Sequence, residues 1–257
     1  MDHEVEYSDA MIKMLELIWG EGFMAPGGPE LADRLVADLD LAGKRVLDIG
    51  SGLGGPSCHL AQKHGAIVTG VDIEPQLVEI SNRRAWQKEL AGRVDFKLVE
   101  PGPLPFADHS FDIVISAGAI TQIPDKPAIF AECFRILGNG GNLRNFEWTT
   151  PSDTPSEDLL YFFEMEDLSY ALELPGAYAS YLQDAGFSDI SVADDSGWYR
   201  RQSREEYELL KGPLYQQMVD LLGQADADHF VEDWRAMAIV FEKGDLTQTI
   251  CRSTRPD

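Results

Sequence analysis

The feature that most constrains the fold of this 257-residue chain is a short apolar stretch that runs directly into glycines and then into a helix. The segment reads Val46-Leu47-Asp48-Ile49-Gly50-Ser51-Gly52-Leu53-Gly54-Gly55-Pro56. Glycines at such a junction let the backbone approach a ligand closely, and the following helix directs its N-terminus at that ligand. The segment therefore predicts an α/β domain with a ligand site at the end of its first strand.

Short apolar runs and helix-length segments alternate after this point. The runs predict strands at 45–49, 67–71, 94–99, 111–116 and 141–146, with helices near 56–63, 76–90 and 127–137. Such alternation is typical of βαβ units and a parallel sheet. Two later runs predict strands at 188–192 and 246–252. We expect a doubly wound, Rossmann-like, mostly parallel seven-stranded sheet. Within the last of the first five runs, Asn142, Arg144 and Asn145 are polar, which is unusual for a buried strand.

Three regions flank or contain this sheet. Helical spacing over 8–19 and 30–39, separated by a loop rich in glycine and proline, predicts a helical N-terminal lid at 1–43. Residues 44–150 form the predicted ligand-binding core. After the linker at 151–156, residues 151–257 are expected to form a helical substrate lobe that also supplies the last strands. Its helices are predicted around 161–165 and over 176–185, 203–224 and 228–243.

Charge and cysteine content exclude several classes of protein. The chain has 44 acidic and 21 basic residues, which gives a formal net charge of −23. A surface this acidic repels nucleic acids and anionic membranes. Its three cysteines are far apart, which indicates neither disulfides nor zinc. We expect a cytoplasmic protein without a signal peptide or membrane span. The acidity fits either adaptation to salt or ordinary solubility.

The residues around the glycines distinguish between cofactors. Glycines at this spacing alone also match dinucleotide-binding folds, so a dehydrogenase is one alternative. Asp48, two positions before Gly50, would repel a pyrophosphate but can bond a cationic amino-acid head. Asp72 follows Gly52 by twenty residues at the end of the next strand, where a carboxylate suits ribose hydroxyls. Glu100 ends the third strand and could accept from an adenine amino group. Together they favour S-adenosylmethionine over NAD.

Four motifs in this order resemble those of class I S-adenosylmethionine-dependent methyltransferases. They are Leu47-Asp48-Ile49-Gly50-Ser51-Gly52, Val71-Asp72, the run from Leu104-Pro105-Phe106 to Ser110-Phe111-Asp112, and the turn Leu137-Gly138-Asn139-Gly140-Gly141. The resemblance covers residues 44–148, and the alternative is an unrelated doubly wound sheet with chance glycines. The resemblance implies that S-adenosyl-L-methionine is the cofactor. It would be bound by Met24, Ala25, Asp48, Gly50, Gly52, Asp72, Ile73, Glu100, Pro101 and Ala117.

The N-terminal segment narrows the resemblance. Tyr7-Ser8-Asp9 and the stretch from Trp19 to Gly28 are similar to the N-terminal segment of phosphoethanolamine N-methyltransferases and neighbouring small-molecule methyltransferases. In that family the segment closes over cofactor and substrate, and its tyrosine touches the reacting centre. By position Tyr7 takes that role here, and Met24 and Ala25 would lie along the cofactor. The alternative for Tyr7 is a surface aromatic residue near a chain terminus.

The chain also departs from that family. The family histidine that pairs with the tyrosine is matched by Gln122, which cannot act as a base. Of the family's phosphate-binding residues only Tyr170 has a counterpart, and Leu168 and Ala238 stand near the charged positions. A phosphorylated substrate is therefore not favoured. We expect Tyr7 and Gln122 at the reacting centre. His59, His64 and His109 are assigned solvated roles, and His3 could accompany the closing segment.

Aromatic and acidic residues are interleaved in the C-terminal lobe, which suits a cationic acceptor or a methylated onium product. The predicted acceptor contacts are Tyr7, Gln122, Glu147, Trp148, Tyr170, Tyr178 and Trp198, with no metal. The function expected is methyl transfer to a small polar metabolite by a monomer or homodimer. The acceptor atom is the nitrogen of a small amine or, alternatively, the sulfur of a thioether, in line with onium osmolyte synthesis. A non-catalytic cofactor-binding subunit is a further alternative.

Overall fold

The computed structural model describes residues 7–166 and 170–257. A seven-stranded sheet in the order β3-β2-β1-β4-β5-β7-β6 forms its centre. Strand β7 runs antiparallel to both of its neighbours, and the other pairings are parallel. The strands are β1 (Arg45–Ile49), β2 (Ile67–Asp72), β3 (Val94–Leu98), β4 (Phe111–Ala117), β5 (Leu137–Thr149), β6 (Ser188–Asp194) and β7 (Thr247–Thr254). The predicted fold class is confirmed.

Helices cover both faces of the sheet and build the C-terminal lobe. They are α1 (Asp9–Trp19), α2 (Pro29–Val36), α3 (Gly55–His64), α4 (Pro75–Gln87), α5 (Lys126–Ile136), α6 (Glu157–Glu166), α7 (Pro175–Ala185), α8 (Ser196–Lys211), α9 (Tyr215–Leu222) and α10 (Gln224–Lys243). Ser8 caps α1, because its Oγ accepts from the backbone N–H of Met11 at 3.1 Å. None of the helices among the described residues is long and apolar enough to cross a membrane.

The prediction of a single helix over 203–224 is wrong. The structure has two helices there, since α8 ends at Lys211 and α9 begins at Tyr215. Between them lie Gly212 and Pro213, and proline lacks the backbone N–H that a continuous helix would need. Helix α8 also begins earlier than predicted, at Ser196.

The side chains of each central strand point alternately into two hydrophobic cores, one on each face of the sheet. Val46 and Ile113 belong to the core beneath α2, α3 and α10, whereas Leu47 and Val114 belong to the core beneath α5 and α7. Successive side chains of a strand point to opposite faces, so a strand buried on both faces is apolar at successive positions. This arrangement accounts for the uninterrupted apolar runs in the sequence.

The polar residues of β5 occupy a central strand and are bonded within the protein. Arg144, only 5% exposed, donates to the carbonyl of Ser253 at 3.1 Å and to Asp38 Oδ2 at 3.0 Å. Asn145 Nδ2 donates to Glu147 Oε1 at 3.0 Å. Because a buried charge needs partners, these bonds explain how the polar stretch is accommodated in the middle of the sheet.

The N-terminal helices are joined to the glycine segment by backbone and side-chain bonds. Gly55 N donates to Gly22 O at 2.8 Å, so the loop after α1 contacts the start of α3 directly. Between α2 and α3, His59 Nε2 and His64 Nε2 lie 2.9 Å and 2.8 Å from Asp33 Oδ1. Both histidines are half-buried in this contact, away from the cavity described below.

Candidate active site

A cavity of about 870 Å³ lies at the C-terminal ends of β1, β2, β4 and β5. Strand order reverses between β1 and β4, because β2 lies on one side of β1 and β4 on the other. In open α/β sheets ligands bind at such a switch point. One side of the cavity is formed by the glycine segment and the end of β2. The other side is formed by α1, β5 and the helices of the C-terminal lobe.

The glycine segment can adopt its path only because it lacks side chains at critical positions. Gly50 has φ of +70°, and a Cβ added there would lie 2.1 Å from the Cβ of Ala119. Gly52 has φ of +52°, and its added Cβ would lie 2.9 Å from Met24 Sδ. Positive φ disfavours side-chain-bearing residues, and these close contacts would displace the neighbouring segments. The exposed backbone can therefore approach a ligand in the cavity.

Asp72, at the end of β2, is 8% exposed and lines the cavity. Its Oδ2 accepts from Gly52 N at 2.8 Å, and its Oδ1 accepts from Glu74 N at 3.0 Å. Burial raises the pKa of Asp72, and the backbone N–H groups oppose this increase. An ionised carboxylate accepts about four hydrogen bonds, and backbone N–H groups of Gly52, Ile73 and Glu74 take up three of them. The remaining capacity fits a ribose hydroxyl.

Ile73 supports the same assignment. It lines the cavity next to Asp72, and it is 51% exposed although its side chain is large and apolar. A flat apolar ring bound beside the ribose would cover this side chain. The other predicted cofactor contacts that line the cavity are Met24, Ala25, Gly50, Gly52, Glu100, Pro101 and Ala117.

Asp48 is the exception among the predicted cofactor contacts, since it is absent from the cavity lining formed by the described residues. It is 1% exposed, and Ser57 Oγ on α3 donates to its Oδ2 at 2.6 Å. Burial is the main reason that its pKa rises to about 6. Ile49, the next residue of β1, does line the cavity. Successive residues of a strand face opposite sides of the sheet, so the Asp48 side chain points to the other side. Asp48 thus bonds to α3 behind the glycine segment, and its contact with the cofactor stays a prediction.

Tyr7, Gln122, Trp148 and Tyr170 all line the cavity, as predicted for the acceptor side. Gln122 ends a single 3₁₀ turn, Ile120–Gln122, that follows β4. Tyr7 immediately precedes the cap of α1. Tyr7 and Gln122 therefore line the same cavity although they are more than a hundred positions apart in the sequence. His3 and Leu168 lie outside the described residues.

The other three predicted acceptor contacts lie elsewhere. Glu147 is fully buried beneath the turn that carries Gln122. Tyr178 is fully buried in the second core, with its ring 6.1 Å from that of Phe130. Trp198 packs against the N-terminal loop, and its Nε1 donates to Glu30 Oε1 at 2.8 Å. The abundance of aromatic residues in the lobe indicated an aromatic site, but it could not show which rings face the cavity.

The turn with Gln122 is held by buried polar groups. Thr121 Oγ1 donates to Glu147 Oε2 at 2.7 Å and accepts from Trp148 N at 3.1 Å. Lys126 is fully buried and donates from Nζ to the carbonyl of Ile123 at 3.0 Å. Burial raises the pKa of Glu147 to about 7 and lowers that of Lys126. These bonds fix the position of Gln122 relative to β5.

Several cavity residues were not among the predicted contacts. Those on the acceptor side include Trp19, Glu166, Tyr199, Trp234 and Met237. Trp19 carries a usable signal, since Met11, Leu15 and Trp19 follow one another at helical spacing and all line the cavity. Glu166 and Trp234 lie on α6 and α10, and no local pattern relates positions that far apart.

A buried carboxylate orients two of these rings. Glu206 is 1% exposed. Its Oε1 accepts from Trp19 Nε1 at 2.7 Å, and its Oε2 accepts from Trp234 Nε1 at 3.1 Å. The two indole rings lie with centroids 5.7 Å apart. These two hydrogen bonds therefore hold the indole rings of Trp19 and Trp234 in place at the cavity.

The charged residues that line the cavity are all acidic within the described ranges 7–166 and 170–257. They are Asp72, Glu74, Glu100, Asp125, Glu132 and Glu166, with no lysine, arginine or histidine among the lining residues of those ranges. Such a cavity attracts cations and disfavours phosphate groups.

Residues 47–144 match the family described as "Methyltransferase domain". This stretch of the chain therefore carries a methyltransferase domain. The matched range begins in β1 and ends in β5, so it includes the glycine segment, Asp72 and the turn with Gln122. The predicted resemblance to class I S-adenosylmethionine-dependent methyltransferases, and with it the predicted cofactor, is confirmed.

Similar proteins extend this likeness beyond the methyltransferase domain. Phosphoethanolamine N-methyltransferase 1 of Triticum aestivum is 30% identical over 90% of this chain and 46% of its own length. The 27-O-demethylrifamycin SV methyltransferase of Amycolatopsis mediterranei is 28% identical over 97% of this chain and 95% of its own. A Haemonchus contortus phosphoethanolamine N-methyltransferase structure has a TM-score of 0.91 at 24% identity, covering 99% of this chain and 59% of that chain. The chain spans about half the length of the first of these relatives.

Proposed function

We propose that this chain is an S-adenosylmethionine-dependent methyltransferase whose acceptor is the nitrogen of a small amine. The observation that carries the proposal is the continuity of one cavity between two chemically different sides. Asp72, Ile73 and the glycine segment line one side, whereas Glu166 and the rings of Trp148 and Tyr170 line the other. The first side fits an adenosine and the second fits a cationic acceptor.

The residues of the chain would act mainly by alignment. When bound, S-adenosylmethionine supplies an electrophilic methyl group. Asp72 would hold the ribose hydroxyls, and Met24 and Ala25 would cover the cofactor from the N-terminal side. Tyr7 and Gln122 would orient the acceptor nitrogen, and the aromatic walls would exclude water from the site. Holding two reactants in the reactive geometry removes much of the entropic part of the barrier.

Nitrogen is favoured as the acceptor atom by the names of two similar proteins, both phosphoethanolamine N-methyltransferases. The acidic lining argues against carrying over their phosphorylated substrate, because it supplies no cationic side chain among the described residues. A small amine without a phosphate group is consistent with both observations. Methylation of a thioether, the other sequence-based hypothesis, has no such support.

Turnover with defined acceptors tests the proposal. The protein would be mixed with S-adenosylmethionine and separate pools of small amines and small thioethers, and formation of S-adenosylhomocysteine would be measured. We expect formation above the acceptor-free rate with amines. Turnover with thioethers alone would overturn the choice of nitrogen. Tight cofactor binding without turnover in any pool would show instead a non-catalytic subunit.

A further inference from the structure

We infer that the acceptor side is a receptor for a small alkylammonium cation without a phosphate group, in which Glu166 carries the charge and Asp233 is its protonated partner. This inference rests on the proposed function and deepens it by naming the substrate class. It depends on the contacts of two carboxyl groups from α6 and α10 and on the rings that surround them.

The two carboxyl groups form a direct pair. Asp233 is 4% exposed, and its carboxyl lies within hydrogen-bonding reach of that of Glu166, while its Oδ1 accepts no hydrogen bond among the described residues. A hydrogen bond between two carboxyl groups requires a proton on one of them. Like charges in such a pair cannot both be ionised without a large electrostatic cost. The pair therefore holds one proton and one negative charge.

The groups around the pair favour protonation of Asp233 over protonation of Glu166. Burial raises the pKa of both carboxyls, and the charge of Glu166 raises that of Asp233 further. Glu166 also accepts from Tyr170 Oη at 3.1 Å, which stabilises its ionised form. Glu166 lines the cavity, whereas Asp233 is absent from its lining among the described residues. The negative charge thus lies on the group that a ligand can reach.

Aromatic rings from several packed elements surround the pair. Trp19 of α1, Trp148 of β5 and Trp234 of α10 line the same cavity, and the Trp148 and Tyr170 rings lie with centroids 5.3 Å apart. The titratable groups that interact with both carboxyls of the pair are Tyr170 and Tyr199; Tyr7 lies next to Tyr170, and Glu206 lies next to Tyr199. Aromatic faces with a carboxylate attract an ammonium ion, and these groups provide no positive charge to hold a phosphate.

Choline and phosphocholine are suitable probes, because both carry a fully methylated nitrogen and differ by one phosphate. Their binding to the protein saturated with S-adenosylhomocysteine would be measured by calorimetry. We expect choline to bind at least tenfold more tightly than phosphocholine. Equal or tighter binding of phosphocholine would overturn the inference.

Two substitutions distinguish the roles of the carboxyls. Glu166→Gln removes the charge and should weaken choline binding at least tenfold. Asp233→Asn keeps a donor to Glu166, so affinity should stay within about threefold of wild type. Glu164→Gln, at an exposed position of the same helix, is the matched control and should change nothing. Affinity for S-adenosylhomocysteine, measured on every variant, shows whether each has folded.

An equal loss of choline binding in Glu166→Gln and Asp233→Asn, with cofactor affinity intact, would refute the assignment of the proton. The experiment needs no turnover and is independent of the assay for methyl transfer. Choline binding without turnover on amines would count against the proposed enzyme. Turnover on amines without choline binding would count against the cation receptor.

Discussion

Replacing Glu147 with glutamine is expected to stabilise the protein at high pH much more than at low pH. Glu147 is fully buried, and it accepts hydrogen bonds from Thr121 and Asn145. Burial raises its pKa from 4.5 to about 7, although these bonds and the charge of Lys126 act in the opposite direction. Ionised Glu147 is therefore less favourable in the folded protein than in the unfolded chain.

The sign and size of the effect follow from this difference. The folded state binds the carboxyl proton more tightly, so the free energy of unfolding falls as pH rises from 4.5 to about 7. One pKa unit corresponds to about 1.4 kcal/mol, which gives a loss of about 2.5 kcal/mol between pH 5 and pH 8. Glutamine does not ionise and retains a carbonyl acceptor for one of the two bonds.

Urea unfolding at pH 5 and pH 8, followed by circular dichroism, measures this effect. The advantage of Glu147→Gln over wild type should be about 2.5 kcal/mol larger at pH 8 than at pH 5. Glu79→Gln is the control, because the Glu79 side chain is 80% exposed and the substitution removes the same charge. A difference between Glu147→Gln and wild type that is the same at both pH values would refute the reasoning.

Three further predictions concern the cavity. Asp72→Asn should weaken binding of S-adenosylhomocysteine at least tenfold in calorimetry, because it removes a charged acceptor that also holds Gly52; unchanged affinity would refute the ribose assignment. Tyr7→Phe should lower turnover more than cofactor affinity, and equal activity would exclude Tyr7 from the site. Gly50→Ala should destabilise the protein by about 1–3 kcal/mol in urea unfolding, since its Cβ would meet Ala119 at 2.1 Å; wild-type stability would contradict the strain argument.

The sequence predicted the cofactor side better than the acceptor side, and the reason is physical. Gly50, Gly52 and Asp72 belong to consecutive strands and turns, so their spacing alone determines where they meet. Asp48 shows the limit of such reasoning, because the alternation of the strand places its carboxylate at Ser57. The motif identifies the residue but does not show which side of the sheet its carboxylate faces.

The acceptor side depends on packing between distant elements. Glu166 and Asp233 are separated by 67 positions and meet only because α6 packs on α10. Tyr178 and Trp198 were plausible acceptor contacts by composition, yet one is enclosed by the second core and the other covers the N-terminal loop. Aromatic content therefore predicted the type of site without specifying its members.

The acidic lining also addresses a difficulty specific to methylation of amines. An ammonium acceptor and a sulfonium donor carry charges of the same sign, and two such charges about 4 Å apart repel by about 4 kcal/mol at an effective dielectric constant near 20. The acidic residues around the cavity would offset part of this repulsion, although one of the six, Glu132, is already paired with Arg135. Glu166 lies among aromatic rings on the acceptor side, and Asp72 lies on the cofactor side. Each cation would thus have a carboxylate on its own side while both are bound. The ammonium would then release a proton to water, and the neutral nitrogen would attack the methyl group.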